Sequence, residues 1–89
     1  MYDMKDVEEV AKKLNIVFDK FTPQDLLEGI HIELEHGSIN PKTNVTNNDL
    51  LMTAKIALAH LNEFPNYYNK EYGIVMFEKY LQSKLSKEK

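Results

Sequence analysis

The sequence predicts an all-α protein, a small bundle of about four helices with a long loop between the second and third. Three observations carry this. Apolar residues recur at three- and four-residue spacing in separate stretches. Helix-starting and helix-ending residues bracket them, with Thr22-Pro23-Gln24-Asp25 as the clearest start and Gly37 and Pro65 as stops. One stretch, near Asn48 to Phe64, is apolar around most of its circumference, as the central helix of a small domain must be.

The first helix is expected from Asp3 to Leu14, with Met4, Val7, Val10, Ala11 and Leu14 on one face and Asp6, Glu8, Glu9, Lys12 and Lys13 opposite. It is the helix expected to be most loosely attached. Asn15 to Phe21 reads as a connector whose apolar residues dock on the core. In the second helix Thr22 caps, Pro23 suits the first position and Asp25 complements the N-terminal partial charge. This helix is expected to reach His36 and stop at Gly37. Leu26, Leu27, Ile30 and Leu34 form its apolar stripe. At about 100° per residue, Glu33 falls inside that stripe, His36 on its edge, and His31 and Glu35 point away.

Ser38 to Asn47 is polar and contains Asn40-Pro41, so it reads as a loop. Its Asn44-Val45-Thr46 sequon is read as chance, and its oxygens do not follow the calcium-loop spacing. The third helix leaves only the arc of Lys55, Ala59, Asn62 and Glu63 to solvent. His60 projects from its apolar arc, near Thr53, Ile56 and Phe64. Pro65 ends this helix and Asn66-Tyr67-Tyr68 makes a corner. The fourth helix is expected to reach about Leu85, with Ile74, Phe77, Leu81 and Leu85 inward. A lysine-rich end, Lys84 to Lys89, suits a helix C-terminus that then frays.

Eighty-nine residues suit a single helical domain, 1–89. Without cysteine, no disulfide can support so small a core. The N-terminal residues lack the basic start and apolar centre of a signal peptide, and no apolar run approaches the roughly 18 residues needed to span a bilayer. The expected location is the cytoplasm. All eleven basic residues are lysine and the net charge is −3. Guanine edges and phosphates are read largely by arginine forks, so nucleic acid is not an expected partner, and without a spanning apolar run neither is a membrane.

Each of two segments pairs a histidine with a glutamate three residues away: Glu33 with His36, and His60 with Glu63. On a helix such residues share a face. One reading is a metal site of Glu33, His36, His60 and Glu63, since carboxylate bundles supply ligands from paired helices and zinc, iron or manganese accept two histidines and two carboxylates. It requires His36 and His60 to meet, although in a plain helical hairpin they lie about 18 Å apart along the axis at about 1.5 Å per residue. The other reading needs no cofactor. Glu33 and His60 are partly buried polar groups satisfied by hydrogen bonds to each other or to Tyr67 or Tyr68. No catalytic residue is assigned, because the chain lacks a cysteine nucleophile, a Gly-x-Ser-x-Gly elbow and a phosphate-binding glycine loop. The crowding of Tyr67, Tyr68 and Tyr72 at one corner of so small a domain marks a candidate partner-binding surface.

Two blocks also carry a resemblance. Gly29, Ile30, Glu33, Glu35 and His36 follow a Gly-Ile-x-x-Glu-x-Glu-His pattern, and His60, Leu61, Glu63, Pro65, Tyr67 and Tyr68 follow Ala-x-His-Leu-x-Glu-x-Pro-x-Tyr-Tyr. From Asp25 to Tyr68 the chain resembles an uncharacterised family, a domain of unknown function, of small bacterial and bacteriophage proteins. The resemblance supplies no reaction. It implies a phage or mobile-element setting and binding to a host or phage protein. The expected role is therefore a protein–protein interaction module, monomeric or homodimeric and not an enzyme, with a small metal-binding helical protein as the alternative.

Overall fold

The computed structural model describes residues 1–88, with side chains to Leu85. Its helices are α1 (Met4–Leu14), α2 (Pro23–Glu33), α3 (Leu50–Glu63) and α4 (Ile74–Glu88), with no strand among the described residues. The all-α class and the long connection between α2 and α3 are as the sequence predicts. A 3₁₀ turn, Leu34–His36, continues α2, so the α-helix stops a turn earlier than expected. No helix among the described residues is long and apolar enough to cross a membrane. The expected fraying of the lysine-rich end falls partly on Lys89, outside the described residues.

Local chemistry sets the starts of α1, α2 and α3. Asp3 and Asp6 form a reciprocal cap: the Asp6 backbone N–H donates to Asp3 Oδ1 at 3.3 Å and the Asp3 N–H to Asp6 Oδ2 at 2.8 Å. Thr22 and Asp25 repeat the device at α2, at 3.1 and 2.8 Å. Each box satisfies two backbone donors that a bare helix end leaves unpaired. Asp49 accepts from the Met52 N–H at 2.8 Å and starts α3. That start falls after the expected Asn48 because Asn47 and Asn48 are left-handed, with φ of 50° and 64°. Asparagine tolerates this conformation better than most residues.

The loop before α3 is closed at its base. The N–H groups of Val45 and Thr46 donate to the His36 carbonyl at 2.7 and 3.3 Å. Asn48 accepts from the Ser38 N–H at 2.9 Å and donates to Ser38 Oγ at 2.6 Å. Gly37 makes room for this clasp, since a Cβ there would collide with Asn48 Oδ1.

Val7 and Val10 of α1, Leu26 and Ile30 of α2, and Ala54, Ala57 and Leu61 of α3 form the core, closed by Phe21 and Tyr68. The first helix is therefore not loosely attached: Val7 and Val10 are each 1% exposed. Tyr2, just before it, donates its hydroxyl to the Asn48 carbonyl at 2.5 Å. His31, expected to face solvent, is half-buried, with Nε2 2.8 Å from the Tyr2 carbonyl.

The fourth helix also departs from expectation. Phe77, Leu81 and Leu85, expected inward, are each 61% exposed. Among the described residues, Ile74 is the one α4 side chain packed against the core. Three helices already enclose that core, and the corner steers α4 away from them. The Gly73 N–H donates to the Asn69 carbonyl and the Ile74 N–H to the Tyr67 carbonyl, both at 2.7 Å. The molecule is correspondingly elongated, 47 × 30 × 20 Å.

Truncating Leu26 to Ala is expected to cost about 2–5 kcal/mol in urea denaturation. Val10→Ala is expected to cost roughly 1–3 kcal/mol, close to the worth of a buried valine, whereas a loosely attached first helix would leave stability unchanged. The exposed Val17→Ala serves as the neutral control, within about 0.5 kcal/mol.

Candidate functional site

Glu33 is the last residue of α2 and is buried, at 5% exposure. One turn earlier stands Gly29. A Cβ at Gly29 would lie 2.6 Å from Cε2 of Tyr68 and 3.0 Å from the Ala57 Cβ. The tyrosine ring therefore lies against bare α2 backbone, where any side chain would displace it. From that seat the Tyr68 hydroxyl donates to Glu33 Oε2 at 2.6 Å. Burial, then the bond to Glu33, then its negative charge, push the Tyr68 hydroxyl far above its ordinary pKa. It stays a neutral donor through the whole physiological range.

Two imidazoles approach the same carboxyl group. His36 Nε2 lies 3.7 Å from Glu33 Oε1 and 3.4 Å from Glu35 Oε1, and His60 Nε2 lies 3.8 Å from Glu33 Oε2. The 3.7 and 3.8 Å separations exceed hydrogen-bonding distance, so these two contacts with Glu33 are electrostatic. An imidazolium at either position would form an ion pair with the carboxylate. The His60 ring stacks on Tyr67, with centroids 4.2 Å apart and planes inclined by 7°. Tyr68 meets it edge-on at 6.3 Å, and Tyr67 meets Tyr68 edge-on at 5.0 Å. Partial burial, followed by the charge of Glu33, raises the Tyr67 pKa as well.

The two sequence segments thus meet at one carboxyl group. In a plain hairpin His36 and His60 are far apart, but Glu33, at the end of α2 and three residues before His36, extends an oxygen toward each. Gly29 facing Ala57 lets α2 and α3 approach closely enough for this. Glu63 does not join the cluster; it is exposed on the solvated side of α3. Among the described residues, no three His, Cys, Asp or Glu side chains are placed to hold a metal ion. Of the corner tyrosines, Tyr68 is only 2% exposed and serves the interior, Tyr67 is half-buried, and Tyr72 faces solvent.

Of the expected hydrogen bonds of Glu33 and His60 to each other or to Tyr67 or Tyr68, the one from Tyr68 to Glu33 is present, whereas His60 stacks on Tyr67 and lies 3.8 Å from Glu33, beyond bonding distance. The role of Gly29 was missed, although a signal was present. A glycine inside an apolar helical stripe costs about 0.5–1 kcal/mol relative to alanine unless another group needs the space.

Gly29→Ala is expected to destabilise the protein despite alanine's higher helix propensity, by about 1–3 kcal/mol as for an overpacked core. Tyr68→Phe keeps the ring but leaves a Glu33 oxygen unpaired, at a cost of about 1–3 kcal/mol. The raised Tyr68 pKa also sets the sign of the alkaline pH dependence. Below the ordinary value of 10.0 both states hold the proton. As pH rises beyond it, the unfolded chain releases the proton and the native state retains it, so stability falls. Melting temperature is expected to drop above about pH 10, and less steeply in Tyr68→Phe.

No curated protein and no solved structure matches the chain. A family model described as a protein of unknown function (DUF5661) matches residues 7–74, from within α1 to the first residue of α4, and so takes in the whole Glu33 cluster. The chain belongs to this DUF5661 family.

Proposed function

We propose that the chain is a protein-binding module that presents α4 and the aromatic corner beside it as its docking surface. One observation carries the reading: α4 has a helical apolar stripe, Phe77, Leu81 and Leu85, that faces solvent instead of the core. Isolated exposed apolar residues are ordinary, but a continuous stripe at helical spacing marks a surface made for contact. A groove of about 230 Å³, lined by Phe64, Asn66, Tyr67, Tyr72, Gly73 and Ile74, extends the stripe toward the bundle, with Phe77 at its edge.

In this reading the Glu33 cluster positions the surface. Tyr68 is locked against α2, adjacent Tyr67 accepts the Ile74 N–H through its carbonyl, and Ile74 begins α4. A buried hydrogen bond thereby sets the direction of the docking helix. The resemblance of the two sequence blocks to bacterial and bacteriophage proteins supports host and phage proteins as partners to test, together with further copies of this chain.

The test is a photo-crosslinking residue in place of Tyr80, activated in the native cell. Protein adducts are expected, and Leu81→Glu should abolish them while hydrogen exchange shows α1–α3 still protected. Finding no protein adduct from position 80, with crosslinking competence confirmed in a control protein, would refute a protein-binding role for this face.

A further inference from the structure

Resting on that reading, we infer that the groove between the aromatic corner and the start of α4 takes an arginine side chain of the protein partner, held by aromatic rings and surrounding carboxylates.

The lining comes first. Phe64 ends α3, Tyr67 and Tyr72 belong to the corner, and Phe77 completes the first turn of α4; all four border one groove of about 230 Å³. Phe64, Tyr72 and Phe77 are 53%, 57% and 61% exposed, while Tyr67 is held by its stack on His60 and its edge contact with Tyr68. Pockets for whole small molecules run to about 300–1,000 Å³, so this one suits a single side chain. The face of an aromatic ring is electronegative and attracts a cation placed within about 6 Å of its centre. The chain makes such a contact nearby, with Lys84 Nζ 5.5 Å from the Tyr80 ring centroid.

The charges around the groove favour the same guest. Glu63 directly precedes Phe64, Glu71 directly precedes Tyr72, and both glutamates are exposed. Glu78 stands one turn after Ile74, about 40° round the helix from it at about 100° per residue. The Tyr67 hydroxyl registers this field: after burial, the charges of Glu33, Glu78, Glu35 and Glu63 raise its pKa. Those carboxylates come from α2, the 3₁₀ turn, α3 and α4. The nearby lysines are turned away or matched. Lys79 lies about 140° from Ile74 on the same count, Lys20 shares an adjoining hollow with Asp25, and Lys70 is followed by Glu71.

A neutral apolar side chain gains nothing from these charges, and an acidic one is repelled. Of the two long cations, guanidinium is planar, stacks on aromatic faces and sheds water more readily than ammonium. This chain contains no arginine, so its own copies do not supply the occupant.

The experiment is an NMR titration of the full chain with a short Gly/Ser peptide carrying a single arginine. The same peptide with citrulline, lysine or leucine at that position provides the comparison. Citrulline keeps the planar shape of arginine and removes its charge. Shifts at Tyr67, Tyr72 and Phe77 are expected with the arginine peptide at millimolar concentration. Citrulline and leucine should bind at least about tenfold more weakly, and lysine more weakly than arginine. Added salt should weaken the arginine complex. Phe77→Leu removes the ring but stays apolar, and Glu78→Gln removes the charge but keeps the size. Each should weaken binding several-fold, whereas Glu8→Gln on α1 should not. Phe77 and Glu78 are exposed, so both variants should melt as the wild type does.

Citrulline or leucine binding as tightly as arginine overturns the inference, as does binding that both Phe77→Leu and Glu78→Gln leave unchanged. Lysine binding more tightly than arginine overturns the choice of guanidinium. Protein adducts from position 80 without any binding of the arginine peptide would leave the protein-binding reading standing and remove only the arginine. Arginine binding without any adduct would uphold the preference of the groove and remove α4 as a docking surface.

Discussion

The hydrogen bond from the Tyr68 hydroxyl to Glu33 is the constraint on which much of this molecule depends. A carboxyl group this buried needs a donor, because leaving it unpaired costs more than most single contacts provide. The donor comes from a residue 35 positions later in the chain, beyond the loop and the whole of α3. To reach Glu33 the tyrosine ring must cross α2 where Gly29 has no side chain. One bond therefore ties together the end of α2, its close approach to α3, and the corner that follows α3.

Around that bond the aromatic and imidazole rings are arranged by shape and charge. Tyr67 stacks flat on His60 while Tyr68 meets both edge-on, placing ring edges against ring faces. The histidines stand near the Glu33 carboxyl oxygens without bonding to them. The same rings shield the polar centre from one side, leaving His36 and His60 partly open.

The bundle divides unevenly between what is enclosed and what is offered. α1, α2 and α3 bury their apolar faces in one another, and small residues at the α2–α3 crossing let the backbones close. Among the described residues, nothing comparable covers α4 beyond Ile74. Its pattern is that of a helix made to bury a face, but its start at Ile74 is aimed by the corner away from the core.

Helix number, helix starts and the loop were legible in the sequence because they rest on local chemistry: capping boxes, Pro23, Gly37, Pro65 and apolar spacing. So was the need of Glu33 for a partner, since a carboxyl group inside an apolar stripe is not left unpaired. Periodicity reports that a face is apolar and does not report what covers it. Hence α1 was expected to be loose and α4 packed, and the structure has the reverse. The pairing of Glu33 with Tyr68, the purpose of Gly29 and the exposure of Leu81 were decided only by tertiary structure. Each depends on where distant segments cross, and spacing along one helix carries no information about that.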